Sequence, residues 1–297
     1  MRTEIVTTSA RGLRQDSLPF RLYQKAKRLG TWDPRDIDFT QDIQDWASLT
    51  ENQRRRNLRL ISMFQAGEEA VTLDLLPLIM VIAKEGRLEE EMFLTTFLFE
   101  EAKHTEFFRL LLDTLGEKQD LSHMHSDTYK KIFYELLPDT MQALVHDQSP
   151  EAVADASTMY NMFIEGVLAE TGYYSFYQGL NRMGKMPGLI KGVDYLKRDE
   201  SRHIGYGTFL LQRLICEHPH LYERVEKKMN DLAPLAVALN QEGTVDQEEG
   251  DPMNVDLNEV MQFSMKQLSL RLEKIARARE NTVEELYKIS EEALGVL

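Results

Sequence analysis

Cysteine is almost missing from this chain: Cys216 is the single one among 297 residues. One thiol excludes an intramolecular disulfide framework and a cysteine-based zinc site. It fits a reducing, cytoplasmic setting. Glycine and proline are sparse, at 16 and 9, and they fall between periodic segments. Alternating runs of the kind that make strands are nearly absent. No apolar run approaches the ~20 residues that a membrane span needs. The most apolar stretch, residues 71–83, carries Asp74 and Pro77 inside it. Residues 1–12 have no apolar h-region, which argues against a secretory signal. Positive charge is also in deficit, with 35 Lys and Arg against 49 Asp and Glu and a formal charge of −14. That balance argues against nucleic acid and against docking on an anionic membrane.

What the chain does have is helical periodicity. Hydrophobic residues make up 42%, enough for a buried core, and they recur at spacings of three and four with charge between them. The expected architecture is all-α: one domain over residues 1–297, with four long helices at its centre. Residues 1–34 read as a weakly periodic N-terminal arm, followed by a short helix over 40–47. Thr50 is placed to cap a long helix reaching about Lys84, in which Pro77 should kink the axis or remove one hydrogen bond. A second long helix spans 88–115 and stops at Gly116. Shorter helices broken by Pro138 fill 117–149. A third long helix begins at Pro150 and runs to about Arg182, and a fourth covers 189–217. Further helices fit 221–240 and 258–279, with an acidic loop over 241–252 between them and a last short helix in 281–297.

The chemistry-bearing residues lie on the four long helices. Glu101 and His104 stand three apart, as do Glu200 and His203. Residues at that spacing share one side of a helix, so a carboxylate and an imidazole can reach one ion, and the pair suits Fe or Mn. From 30 Glu and 7 His, about 0.7 such pairs arise by chance. A third pair, Glu217 and His220, straddles Pro219 and reads as accidental. The partners carry more weight. Glu68 precedes Glu101 by 33 residues and Glu165 precedes Glu200 by 35. The order is therefore Glu, then Glu-x-x-His, twice, one element per long helix. A four-helix bundle uses this inventory for a carboxylate-bridged pair of metals. Four carboxylates neutralise two divalent ions, whereas without metal they crowd like charges in the core. A single Glu in so acidic a chain is ordinarily a solvated helix face, and a single His ordinarily a hydrogen-bonded one. Here apolar residues share those faces: Ile61, Phe64, Val71 and Leu75 with Glu68, and Met162, Leu168 and Ala169 with Glu165. Periodicity does not choose Glu68 over Glu69, or Glu101 over Glu100.

The runs Gln65-Ala66-Gly67-Glu68-Glu69-Ala70-Val71, Glu100-Glu101-Ala102-Lys103-His104, Phe163-Ile164-Glu165-Gly166 and Arg198-Asp199-Glu200-Ser201-Arg202-His203-Ile204-Gly205-Tyr206-Gly207 resemble the ribonucleotide reductase small subunits of the ferritin-like superfamily. They resemble most closely the ligand-binding oxidase branch, over about residues 40–280. One departure from the reductase subunits is Phe108, which stands where those usually place a radical-storing tyrosine, four residues after the first histidine. A phenyl ring has no O–H to lose.

The resemblance implies an oxygen-activating Mn/Fe oxidase, with Fe/Fe as a variant. It implies Glu68, Glu101 and His104 on Mn, and Glu165, Glu200 and His203 on Fe, with Glu101 bridging. It further implies a bound long-chain fatty acid whose carboxylate reaches the metals, an ether bond between Val71 and Tyr160, and a homodimer. On residue chemistry alone, Val71 is ordinary core and Tyr160 a buried phenol. Three other readings stay open: a reductase radical subunit that stores its oxidising equivalent on the metals, an iron-storing bundle, and a metal-free structural bundle.

Overall fold

The computed structural model describes residues 7–294 and Val296. Every regular element among them is helical, and none of these helices is long and apolar enough to cross a membrane. The principal helices are α1 (Leu18–Leu29), α2 (Thr40–Ser48), α3 (Glu51–Lys84) and α4 (Leu88–Leu115), followed by α5 (Pro150–Ser157), a π-helical segment (Thr158–Ala169) and α6 (Glu170–Gly179). They continue with α7 (Pro187–Glu217), α8 (Leu221–Thr244) and α9 (Leu257–Ala276). The expected all-α ferritin-like architecture is what the chain forms.

Local sequence explains most boundaries. Thr50 and Gln53 form a reciprocal capping box at the start of α3, satisfying two backbone donors that the first turn leaves free. Gly116 ends α4 with φ at +82°, a left-handed conformation that glycine adopts without strain. Pro77 lies inside α3 and does not end it. The hydrogen bond it cannot make is the one to the Leu73 carbonyl, four residues earlier. Between 117 and 149 the chain makes the short helical pieces expected there, and Pro138 sits in the first turn of Leu137–Gln142.

Four expectations need correction. The N-terminal arm contains a true helix, α1, which buries Leu18, Pro19, Phe20, Leu22 and Ala26 on one amphipathic face. Pro19 there occupies the first turn, where it is tolerated. The first six residues of that arm, and with them half of the 1–12 stretch, lie outside the described residues. The third long helix is not uniformly α, since residues 158–169 are π-helical. Helix α8 runs four residues past Asn240, so the acidic loop is shorter than the periodicity suggested. The tail forms two short helices, Val283–Tyr287 and Glu291–Leu294, while residues 295 and 297 lie outside the description.

The apolar core has two clusters. One gathers around Val71, Phe97, Tyr160 and Phe209, the other around Ile61, Phe108, Tyr173 and Val193. Helices α3, α4 and α7 each pass from one cluster to the other. Glu68, Glu101 with His104, and Glu200 with His203 sit at those crossings, and Glu165 lies just before one. The polar site therefore interrupts the apolar core at a single level of the bundle.

Candidate metal centre

Six side chains from four helical elements converge there, all buried. Two groups of ligand-capable atoms result, each within 4.8 Å: Glu68, Glu101, His104 and Glu200, and Glu101, Glu165, Glu200 and His203. All six residues singled out in the sequence are brought together. Glu200, assigned above to one ion only, belongs to both groups alongside Glu101. The ambiguity between neighbours is also resolved. Glu69 is exposed and pairs with Gln65 at 2.7 Å. Glu100 is buried but faces the outer side of His203.

Each imidazole turns Nδ1 into the cluster. His104 Nδ1 lies 3.6 Å from Glu68, 3.8 Å from Glu101 and 3.4 Å from Glu200. His203 Nδ1 lies 2.9 Å from Glu101, 3.3 Å from Glu200 and 3.8 Å from Glu165. The outer nitrogens meet carboxylates: His203 Nε2 with Glu100 at 2.9 Å and His104 Nε2 with Asp199 at 3.4 Å. A proton held on Nε2 leaves the Nδ1 lone pair aimed inward, as a metal ligand requires.

The outer carboxylates are themselves tied down. Buried Arg202 bridges Glu100 and Asp199. Asp199 also accepts from Trp32 Nε1 at 2.7 Å and Lys103 Nζ at 3.1 Å. Lys103 reaches the Gly30 carbonyl at 2.6 Å, so the turn after α1 helps to hold the site. On the third helix, Asn161 Nδ2 donates to Glu165 Oε2 at 3.0 Å, and the Ser157 hydroxyl donates to Asn161 Oδ1 at 2.9 Å. Asn161 fits only because residue 207 is glycine, where a Cβ would stand 2.2 Å from Asn161 Cβ. Sequence reasoning missed the outer roles of Asp199 and of Glu100, the latter weighed only as an alternative to Glu101, and gave no role to Asn161. A signal for the first two was present, because each Glu-x-x-His is preceded by a second acid. One position along a helix is a rotation of about 100°, which carries that acid from the inner to the outer side.

Electrostatics fit a site that exchanges protons for metal. Burial raises Glu68 to about 8, against the opposing pull of His104. Burial and the neighbouring Glu200 raise Glu165 well above the carboxylate range. Burial would raise Glu101 too, but the neighbouring His104 and His203 imidazoles, which favour its charged form, override it and hold Glu101 at about 2. Burial opposes charge on both imidazoles, yet the surrounding carboxylates keep them protonated well above the ordinary range. Several inward atoms have no hydrogen-bond partner: both oxygens of Glu101, Glu165 Oε1, Glu200 Oε2 and Nδ1 of each histidine. Buried polar atoms are rarely left so. Carboxylate oxygens and imidazole nitrogens clustered without partners are the donor set that Fe and Mn accept, so the residues fit a metal pair.

Val71 and Tyr160 also meet beside this cluster. Both are buried, and the Tyr160 hydroxyl donates to the Val71 carbonyl at 3.1 Å. Phe108, at the position noted above, is fully buried and stacks on Phe64 at 5.2 Å. A cavity of about 70 Å³ opens onto Glu68, Glu101, Glu165 and Glu200, with Val71, Phe133 and Ile164 among its apolar walls. It shares Met63, Leu168 and Leu239 with a second cavity of about 130 Å³.

Residues 20–275 match the family described as ribonucleotide reductase, small chain, and the chain belongs to that family. Among solved structures it is similar to R2-like ligand-binding oxidases, the branch its motifs point to. A valine-to-leucine variant with an aerobically reconstituted Mn/Fe cofactor is 42% identical, with a TM-score of 0.89 over 93% of this chain and 99% of that one. A glycine-to-leucine variant with an aerobically reconstituted Fe/Fe cofactor gives the same identity, TM-score and coverage. A glycine-to-phenylalanine variant with Mn/Fe is 43% identical, with a TM-score of 0.86 over 89% of this chain and 99% of that one.

Proposed function

We propose that the protein is an oxygen-activating dimetal oxidase that binds Mn and Fe, or two Fe, and oxidises its own Val71 and Tyr160. The observation that carries this reading is the buried six-residue cluster with inward atoms unpartnered, beside a phenol 3.1 Å from the Val71 carbonyl. Glu68, Glu101 and His104 would hold the first ion, and Glu165, Glu200 and His203 the second. Glu101 and Glu200 belong to both groups, so either carboxylate would be able to contact both ions. The Mn/Fe and Fe/Fe pairs of the similar oxidases support the choice of metals.

When bound, the metal pair supplies two of the four electrons that bring oxygen to the oxide level. Joining Val71 Cβ to Tyr160 Oη supplies the other two, because one hydrogen leaves each atom as the C–O bond forms. The Val71 Cβ–H is tertiary, and so weaker than a methyl C–H. The buried site excludes water, which protects a reactive oxidant from side reactions. Phe108 offers no phenol that could take the equivalent instead.

The apolar cavity beside the four carboxylates suits the alkyl part of a fatty acid whose carboxylate reaches the metals. Its volume of about 70 Å³ is less than half the ~150 Å³ of a cavity that accepts benzene. A long chain must therefore displace Met63, Leu168 or Leu239 and continue into the second cavity. Leu73, Leu76 and Met80 form an exposed apolar row on α3, which supports the homodimer reading.

The test is direct. Metal-free protein is loaded with Mn(II) and Fe(II), exposed to air, digested and analysed by mass spectrometry. The Val71 and Tyr160 peptides should appear joined and two hydrogens lighter, and remain separate in anaerobic and Glu68→Ala samples. Separate peptides from aerobic protein shown to hold two metals would overturn the cross-link and favour storage of the oxidising equivalent on the metals.

A further inference from the structure

Tyr206 lies about one turn beyond His203 on α7, and its phenol is fully buried. An unbroken set of aromatic contacts links it to the metal cluster. The His203 ring stacks on Phe97 at 3.6 Å with the planes 7° apart. Phe97 contacts Phe93 at 6.0 Å, and Phe93 contacts Tyr206 at 5.1 Å. At its other end the Tyr206 hydroxyl donates to Glu90 Oε2 at 3.0 Å. Glu90 Oε1 accepts from a second phenol, Tyr287, at 3.2 Å. Arg213 Nε stands 3.5 Å from Glu90 and Arg87 Nε 4.0 Å from it. Glu90, Arg87 and Tyr287 then line a surface cavity of about 500 Å³.

For packing alone, phenylalanine would serve at 206. Burying a phenol, a carboxylate and a guanidinium together instead carries a desolvation cost. What that cost provides is a phenol with a charged proton acceptor, and oxidation of a phenol is easiest when its proton can leave with the electron. The same carboxylate joins the inner phenol to an outer one at a solvent-accessible cavity.

We propose that Tyr206, Glu90 and Tyr287 relay single electrons between the metal pair and the protein surface. The proposal rests on the dimetal reading above. Tyr206 gives one electron to the oxidised metal pair and its phenolic proton to Glu90 Oε2, leaving a neutral tyrosyl radical. Tyr287 restores it by giving one electron to Tyr206 and one proton to Glu90 Oε1, while the proton on Oε2 returns to Tyr206. A one-electron donor in solution then reduces Tyr287, and the proton on Glu90 Oε1 returns to it, which restores Glu90 as a carboxylate. Reducing equivalents enter by this route once Tyr160 has been consumed.

The experiment uses the full chain carrying Tyr160→Phe, which removes the competing phenol, loaded with two Fe(II) and mixed with oxygen. Frozen samples are read by electron paramagnetic resonance, with iron content, iron oxidation and helicity measured on the same material. A tyrosyl radical should form and vanish when Tyr206→Phe is added. Adding Glu90→Gln instead, which removes the charged proton acceptor, should cut the radical yield by about tenfold or more. A nitroso spin trap should label Tyr287 in the Tyr160→Phe protein and leave it unlabelled when Tyr206→Phe is present. An equal radical yield without Tyr206, or oxidised iron with no tyrosyl radical, would overturn the relay and leave the dimetal reading standing. Iron that stays ferrous in oxygen would overturn both.

Discussion

Asn161 shows how much of this site depends on residues outside the six that converge. Its amide is the donor to Glu165 Oε2, so the other oxygen, Oε1, is left for an ion. Removing such outer support typically costs 10–100-fold in metal affinity. Asn161→Ala should weaken the ion held by Glu165, Glu200 and His203 by about that factor, and leave the ion at Glu68 and His104 largely unchanged. Anaerobic chelator competition would check it. Gly207→Ala drives a Cβ against Asn161. Overpacking of this kind costs about 1–3 kcal/mol, and urea unfolding should show it together with the same loss of metal.

At the scale of elements, the start of α7 is capped from outside its own sequence. Asp42 on α2 accepts from the backbone N–H of Gly188 at 2.8 Å and of Leu189 at 2.7 Å. Asp45 accepts from Met186 at 2.8 Å. A short helix thus closes the end of the long helix that carries Glu200 and His203. Asp42→Ala leaves two buried donors unpaired, a loss of about 1–3 kcal/mol for each such group. Chemical denaturation should show a lower midpoint with an unchanged slope. Thr50→Ala removes one half of the α3 capping box and should cost about 1 kcal/mol by the same measurement.

At the scale of the molecule, the dimetal reading makes metal and protons competitors for one buried cluster. Without metal, Glu68 and Glu165 have raised pKa values, as do both histidines. A group raised on folding stabilises fully below its unfolded pKa, and that stabilisation is lost as pH rises through the folded value. The metal-free protein should therefore lose thermal stability as pH rises from about 4.5, where an unfolded Glu titrates, through Glu68's value of about 8, with the histidines adding to the loss above pH 6.5. Glu101 is depressed to about 2, so its contribution does not change in that window. The metal-loaded protein should not follow this decline, because ions replace those protons, and Tm against pH would separate the two curves. Calorimetric titration with Fe(II) in two buffers of different ionisation enthalpy should detect proton release at pH 7.

The long helices, their four-fold arrangement and the six buried residues were legible in the chain because a Glu or Glu-x-x-His set on an apolar stripe repeats with matched spacing. That signal is local to each helix, and the resemblance to the ligand-binding oxidase branch rests on the same short runs. Three things required the tertiary structure. Glu68 was distinguished from Glu69, and Glu101 from Glu100, only by which acid faces the other three helices, since periodicity is blind to one step along a stripe that is acidic on both sides. Glu200 joined both ion groups only when α7 was set against α3 and α4. The shell of Asp199, Arg202, Trp32 and Asn161, and the shared carboxylate of Tyr206 and Tyr287, consist of contacts between residues distant in the chain. Spacing along a sequence carries no information about such contacts, whereas a helix's own period is written into every turn.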